Sequence, residues 1–234
     1  MAGTLYGIGL GPGDPELMTL KAHRLVAAAT VVAYPAPTGG DSFARSIAAA
    51  AIPADAEEIR IDIPMDVRRY PAQEAYDAAA RTIAERLEQD RDVVVLCEGD
   101  PLFYGSFMYL FARLAGRFNI EIVPGVTSVT ACAAALQRPL SARNEVLTII
   151  PGTLDEETLS ARIAAADALA IMKVGRHLGK IRRVLDRHDL SERAGYVERA
   201  TLGSEKVLPL SDAPETAPYF SMILVTKGED PWLT

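Results

Sequence analysis

The chain has 234 residues, 49% apolar, 24% charged and 6% aromatic, which is enough to bury a core and too apolar for a disordered chain. Its net charge of −7, from 24 basic and 31 acidic residues, argues against a nucleic-acid backbone as main partner but leaves room for a small anion at a local basic cluster. The longest apolar run, Leu25 to Tyr34 broken only by Thr30, is about half of a membrane span. No basic-then-apolar leader opens the chain, and the two cysteines, Cys97 and Cys132, form no paired motif, so a reduced, cytoplasmic protein with no membrane or nucleic-acid partner is expected.

In chain order, a strand over Leu5 to Leu10 precedes a helical pattern over Glu16 to Ala29. Strands over Val31 to Tyr34 and Glu58 to Ile63 follow, then a helix over Ala72 to Glu88. Val93 to Cys97 is apolar without alternation, as in a strand covered on both faces. Glu58 to Ile63 alternates, which places it near a sheet edge. Next come a helix over Ser106 to Leu114, a strand over Ile120 to Val123 and a helix over Ser128 to Leu136. The second half reads as strand Val146 to Ile150, helix Asp155 to Ala166, strand Leu169 to Val174 and helix Leu178 to Leu190. Strands over Tyr196 to Arg199, Lys206 to Leu210 and Ser221 to Val225 close the series. Alternating strands and helices predict an α/β fold with mostly parallel strands. The last three strands lack separating helices, so antiparallel pairing and a mixed sheet are expected there. The proline-bearing segment Gln137 to Arg143 is the candidate boundary between domains 1–137 and 138–234.

Three turns follow strands and carry glycine. Gly7-Ile8-Gly9-Leu10-Gly11-Pro12-Gly13-Asp14-Pro15 lets backbone approach a ligand closely, with Asp14 as helix cap and Pro15 at the first position. Pro12 stands where the dinucleotide fingerprint needs its last glycine, and a capped tight turn is the plain alternative. Cys97-Glu98-Gly99-Asp100-Pro101-Leu102-Phe103-Tyr104-Gly105-Ser106 ends the most apolar strand, where ligands of open α/β sheets bind. Its carboxylates, glycines and aromatics suit a neutral or cationic ligand with hydroxyls and a flat ring. Val123-Pro124-Gly125-Val126-Thr127-Ser128 offers Thr127 or Ser128 as a helix cap.

Other site types find no support. His23, His177 and His188 have no metal-ligand spacing, and Cys97 reads as a buried structural thiol. No nucleophile elbow or phosphate loop is present. Lys180-Ile181-Arg182-Arg183 reads as a solvated helix face. Arg68 and Arg69, in a Pro-flanked loop, can meet carboxylates bidentately or remain solvated.

Taken in order, the three turns, with Ile171-Met172-Lys173-Val174 and Tyr196-Val197-Glu198-Arg199-Ala200-Thr201, resemble the tetrapyrrole methylases over essentially the whole chain. Glu98 departs from the glycine that many members carry there. Glu98 to Ser106, with Val32-Ala33-Tyr34-Pro35, looks like the C20 methyltransferases acting on precorrin-2 or its cobalt-containing counterpart. The resemblance implies two α/β domains, the N-terminal sheet mostly parallel and the C-terminal one mixed, with the active site in the cleft between them, and a homodimer. It implies S-adenosyl-L-methionine (SAM) as cofactor, leaving S-adenosyl-L-homocysteine (SAH), with no protein metal site. Carried over by motif, the cofactor residues are Pro12, Glu98, Gly99, Asp100, Phe103, Thr127, Ser128, Met172, Tyr196, Val197, Glu198, Arg199, Ala200 and Ser221. For the tetrapyrrole, precorrin-2 or cobalt-factor II, the candidates are Arg68 and Arg69 as cations and Tyr34 as hydroxyl and flat face. No catalytic residue is named, because in-line transfer of an activated methyl group gains much from positioning alone. A non-catalytic nucleotide- or tetrapyrrole-binding protein is the rival reading.

Overall fold

The computed structural model describes residues 2–64 and 70–228. The chain divides into two compact units, Met1–Thr127 and Ser128–Thr234.

The first unit is built on five parallel strands: β1 (Thr4–Gly9), β2 (Val31–Pro37), β3 (Glu57–Ile63), β4 (Val93–Cys97) and β5 (Asn119–Val123). Their spatial order is β3-β2-β4-β1-β5. The alternating strand β3 is at the edge as expected. β4, buried at all five positions, is central. Side chains alternate across the sheet, so each face has its own core. Ile8, Val32, Val94 and Leu96 pack with α1 (Leu20–Ala27) and α2 (Phe43–Ala48). Leu5, Ala33, Val95 and Cys97 pack on the other face with α3 (Tyr70–Glu88) and α4 (Phe107–Leu114).

Two local readings change. The helix expected over Glu16 to Ala29 is split into a 3-10 turn, Pro15–Leu17, and α1. Asp14 does cap the turn, accepting from Glu16 N at 2.9 Å. Met18 is then extended, and Thr19 Oγ1 caps α1 through Ala22 N at 3.1 Å. Helix α2 was not expected. It is six residues long, too short for a periodic signal, and depends on Ser42, which accepts from Arg45 N at 3.2 Å and donates to Pro35 O at 2.6 Å.

The second unit holds β6 (Leu147–Pro151), β7 (Ala168–Met172), β8 (Ala194–Glu198), β9 (Lys206–Pro209) and β10 (Ser221–Thr226) in the order β6-β7-β10-β8-β9. β6 and β7 are parallel, and β10 and β9 run antiparallel to their neighbours; this is the expected mixed sheet. Helices α6 (Glu156–Ala165) and α7 (Leu178–Arg187) cover one face through Leu159, Ile163, Ile181 and Leu185. Helix α5 (Ser128–Ala135) belongs to this unit and lies against β10; Leu136, just beyond it, fits over Gly195, where an added methyl would lie 2.5 Å from its Cδ2. The division thus falls ahead of the expected 137/138, because α5 packs on the second sheet.

Candidate functional site

Neighbouring parallel strands whose following segments leave toward opposite faces open a crevice at their carboxyl ends. In the first unit β1 and β4 form such a pair. The segment after β1 leads to α1 on one face, and the segment after β4 leads to α4 on the other.

Three glycine-bearing turns meet at this edge, and the first two are joined backbone to backbone. Leu10 N donates to Cys97 O at 2.9 Å, Gly99 N to Gly11 O at 2.7 Å and Gly11 N to Gly99 O at 3.3 Å. A methyl on Gly9 would lie 2.5 Å from Gly125 N and 2.8 Å from Gly99 O. Gly99 itself has φ +63, a left-handed conformation that costs glycine little. The glycines are therefore needed first so that three chain segments can touch. Asp100 fastens the assembly: Oδ2 accepts from Gly125 N at 3.1 Å and Oδ1 from Leu102 N at 2.9 Å. Asp100 thereby holds two of the turns together.

Beyond Asp100 the turn presents Leu102 and Tyr104, both nearly half exposed, with Phe103 edge-on to Tyr104 at 5.2 Å between ring centroids. Tyr104 has φ +56, a strained conformation for an aromatic residue and a kind of strain that gathers at ligand sites. Pro12 and Thr127 are half-buried at the same edge. Beneath the turn, Cys97 is fully buried, and burial pushes its thiol up to about 12, as expected of a structural cysteine. Its sulfur lies 4.0 Å from Ser106 Oγ.

Glu98 points to the face opposite Cys97. Burial raises its carboxyl above the usual carboxylate range, opposed only by backbone hydrogen bonds from its own N–H and that of Ala44 in α2. It makes no ion pair with a described residue. Sequence reasoning found Glu98 but missed its partner, because α2 carried no readable signal.

Tyr34 is 7% exposed. Arg45 sits over its ring at 5.9 Å and binds Glu58 twice, at 2.6 and 2.7 Å. Hydrogen bonding to Arg45 holds the Glu58 carboxyl down at about 2, against the effect of burial. Burial and Glu58 raise the Tyr34 hydroxyl. The residue is thus committed inside the unit, with little surface left for a ligand. Arg68 and Arg69 lie outside the described residues.

The expected residues of the second unit also gather at one edge. Met172 ends β7, Glu198 ends β8, and Ser221 opens β10 opposite Glu198. Arg199 N donates to Phe220 O at 2.8 Å. Tyr196 and Val197 are wholly buried, so the part of the segment that reaches the surface is the turn after Glu198. Lys173, Arg199 and Thr201 there have φ +56, +51 and +69. Glu198, 2% exposed, accepts from Tyr196 OH at 2.7 Å and pairs with Lys206 at 2.8 Å. Those two partners outweigh its burial and lower its carboxyl. Ser128 starts α5.

Two basic side chains read as solvated are instead braces. Lys180 reaches Leu154 O, and Arg182 reaches Leu210 O at 2.9 Å and also Ala213 O. Among the described residues, no group of three or more His, Cys, Asp or Glu is placed to hold a metal ion, and no helix is long and apolar enough to cross a membrane.

Comparison with known proteins matches residues 4–214 to the Tetrapyrrole (Corrin/Porphyrin) Methylases. The chain is 44% identical to the cobalamin biosynthesis protein CobIJ of Mycobacterium tuberculosis over 97% of its own length, but spans only 46% of that relative. It is 41% identical to a precorrin-2 C(20)-methyltransferase of a Sinorhizobium species, with 97% of both chains covered. A cobalt-precorrin-2 C(20)-methyltransferase of Salmonella typhimurium is 31% identical over 97% of this chain and 98% of that one. Among solved structures, a cobalt precorrin-4 methyltransferase superposes with a TM-score of 0.75 at 27% identity, covering 95% and 94% of the two chains. A uroporphyrin-III C-methyl transferase of Thermus thermophilus, complexed with S-adenyl homocysteine, gives 0.66 at 25% identity over 96% and 92%. The crevice-forming parallel sheet, the mixed sheet and these matches together establish that the chain belongs to the tetrapyrrole methylase family.

Proposed function

We propose that this chain is a SAM-dependent C-methyltransferase that methylates precorrin-2 at C20 on the way to cobalamin. The observation that carries the reading is the end-to-end similarity to the Sinorhizobium precorrin-2 enzyme. The lower identity to the cobalt-precorrin-2 enzyme favours the metal-free substrate. A cobalt ion in the alternative substrate would arrive inside the macrocycle and would need no protein ligands.

The residues at the first crevice fit SAM. A sulfonium, a ribose diol and an adenine ask for carboxylate, backbone polar groups and an apolar slot. Glu98, the joined glycine turns and the Leu102–Tyr104 tip offer these. When bound, SAM supplies an already activated methyl group. The chain's own contribution is then positioning, for which turns locked by Asp100 are suited. Pro12, Gly99, Phe103 and Thr127 line the same edge and complete the proposed contacts of this unit. In the second unit, Met172, Arg199, Ala200 and Ser221 form the corresponding edge. A homodimer, as the family resemblance implies, is part of the proposal and is read by sedimentation.

The test is to offer the purified chain labelled SAM with metal-free precorrin-2 and with cobalt-precorrin-2. One methyl group should transfer to the metal-free macrocycle at C20. Transfer only to the cobalt form would move the assignment to the alternative route. Binding of SAH without transfer to either would favour a non-catalytic role.

A further inference from the structure

The carboxyl edge of the second sheet brings exposed aromatic rings and arginines together. Strands β7 and β8 both run antiparallel to β10, which lies between them, so their carboxyl ends flank the start of β10. There Tyr219 and Phe220 are 69% and 42% exposed, with their rings edge-on at 5.1 Å between centroids. Arg199, the residue after β8, donates its backbone N–H to Phe220 O at 2.8 Å. Arg176 lies in the 3-10 turn Gly175–His177 that follows β7. Both arginines are exposed, and the strand ends they follow are about 10 Å apart at ordinary strand spacing. Between Asp167 and Asp186 the chain has five lysines and arginines and no acidic residue. Three of them are engaged elsewhere: Lys180 with Leu154 O, Arg182 with Leu210 O and Arg183 with Glu156. Arg176 and Arg199 make no side-chain hydrogen bond or ion pair among the described residues. The carboxylates near Arg199 have other partners. Glu198 is held by Tyr196 and Lys206, and Glu205 accepts from Thr201 N at 2.6 Å.

We propose that this edge anchors the macrocycle in the second unit: Tyr219 and Phe220 receive the face of a pyrrole ring, and Arg199 and Arg176 hold carboxylates on its rim. The inference rests on the methyltransferase reading and names the side chains that take its acceptor substrate. An aromatic pair offers a flat apolar surface, and a guanidinium holds a carboxylate through two parallel hydrogen bonds. Together they ask for a ligand that is flat and apolar in its rings and anionic around them. A tetrapyrrole bearing acetate and propionate side chains is such a ligand. A sulfonium is the opposite case, since a guanidinium repels it. The net charge of −7 gives such an anion no general attraction, so its recognition depends on local cations of this kind.

Steady-state kinetics of the full chain at saturating SAM, with the macrocycle that accepts the methyl group, metal-free or cobalt-containing, test this beside calorimetric titration with SAH. Arg199→Gln should raise KM for the macrocycle about tenfold, the loss of one charge-assisted contact, with kcat and SAH affinity held within about twofold. Arg199→Lys, which keeps the charge without the planar fork, should fall between. Arg176→Gln and Tyr219→Ser should each raise KM about threefold. Arg162→Gln, the same charge change at an exposed position on α6, is the control and should leave KM unchanged. The wild-type KM should rise with salt, and less steeply in the double variant Arg176→Gln with Arg199→Gln. A KM in Arg199→Gln or in Tyr219→Ser no higher than in Arg162→Gln would overturn the anchoring role. So would a loss of SAH affinity in Arg199→Gln as large as its rise in KM, which would give the guanidinium to the carboxylate of the cofactor. Either result leaves the methyltransferase reading standing, whereas a wild-type chain that transfers no methyl group to either macrocycle would overturn that reading itself.

Discussion

Glu98 and Glu198 occupy comparable places, each at the carboxyl end of an inner strand, and their surroundings are opposite. Glu198 is ringed by partners: the Tyr196 hydroxyl at 2.7 Å and the Lys206 ammonium at 2.8 Å outweigh burial and lower its carboxyl. Glu98 has a backbone N–H and no described cation, and burial raises it. A carboxylate already satisfied within its unit serves the fold, since removing it strands its partners. One left without a counter-charge beside a crevice is poised for an incoming ligand. The same contrast holds for the turns that carry them. The first edge is built from glycine backbone and Asp100, and the second from register pairing and a buried polar network.

Several substitutions would break or sharpen this contrast. The largest effect is expected from Gly125→Ala, whose methyl would overlap Gly99 O. It should cost about 3 kcal/mol, read as a drop in urea midpoint, and should abolish SAH binding. Glu198→Ala leaves the buried Tyr196 hydroxyl without its acceptor and should cost about 1–3 kcal/mol. Glu98→Gln should change stability by less than about 1 kcal/mol; equal losses at the two glutamates would erase the distinction drawn here.

Acid titration separates carboxyls in the same way. Glu58 is held down at about 2 by Arg45, so its contribution is full above the ordinary carboxylate value and is lost as pH falls from there toward about 2. Allowing for the partly exposed Arg45, that contribution is about 1–2 kcal/mol, and Glu58→Gln should remove this part of the acid dependence. Glu98, being raised, acts in the opposite sense: its folded-state preference for the proton costs stability as pH rises through the ordinary carboxylate value. A change confined to binding is expected from Asp100→Asn, which weakens the tie to Gly125 N. It should lower SAH affinity about tenfold, equivalent to about 1.4 kcal/mol, with little change in melting temperature.

Much of this architecture was legible because hydrophobic period and turn chemistry agree along the chain. Among the described residues, each of the ten strands lies where an apolar run meets a turn signal, and β3 declared its edge position by alternation. The glycine turns declared the crevice because close backbone approach leaves a residue-type signature. The partners of the two glutamates were not legible. Ala44 reaches Glu98 only through strand order and a six-residue helix that tertiary contacts hold. Lys206 reaches Glu198 only through the antiparallel register of β8 with β9. The start of α1 moved because Thr19 offered a better cap than the Asp14-Pro15 signal allowed for. Braces such as Arg182 on Leu210 O look like solvated charge until the neighbouring loop is in place.

Calorimetric titration of the wild-type chain with SAH tests most directly whether the crevice at the carboxyl ends of β1 and β4 is a SAM site. Saturable binding that Gly125→Ala abolishes and Asp100→Asn weakens is the expected result. No heat and no thermal shift at millimolar SAH, or binding untouched by either substitution in folded protein, would contradict it.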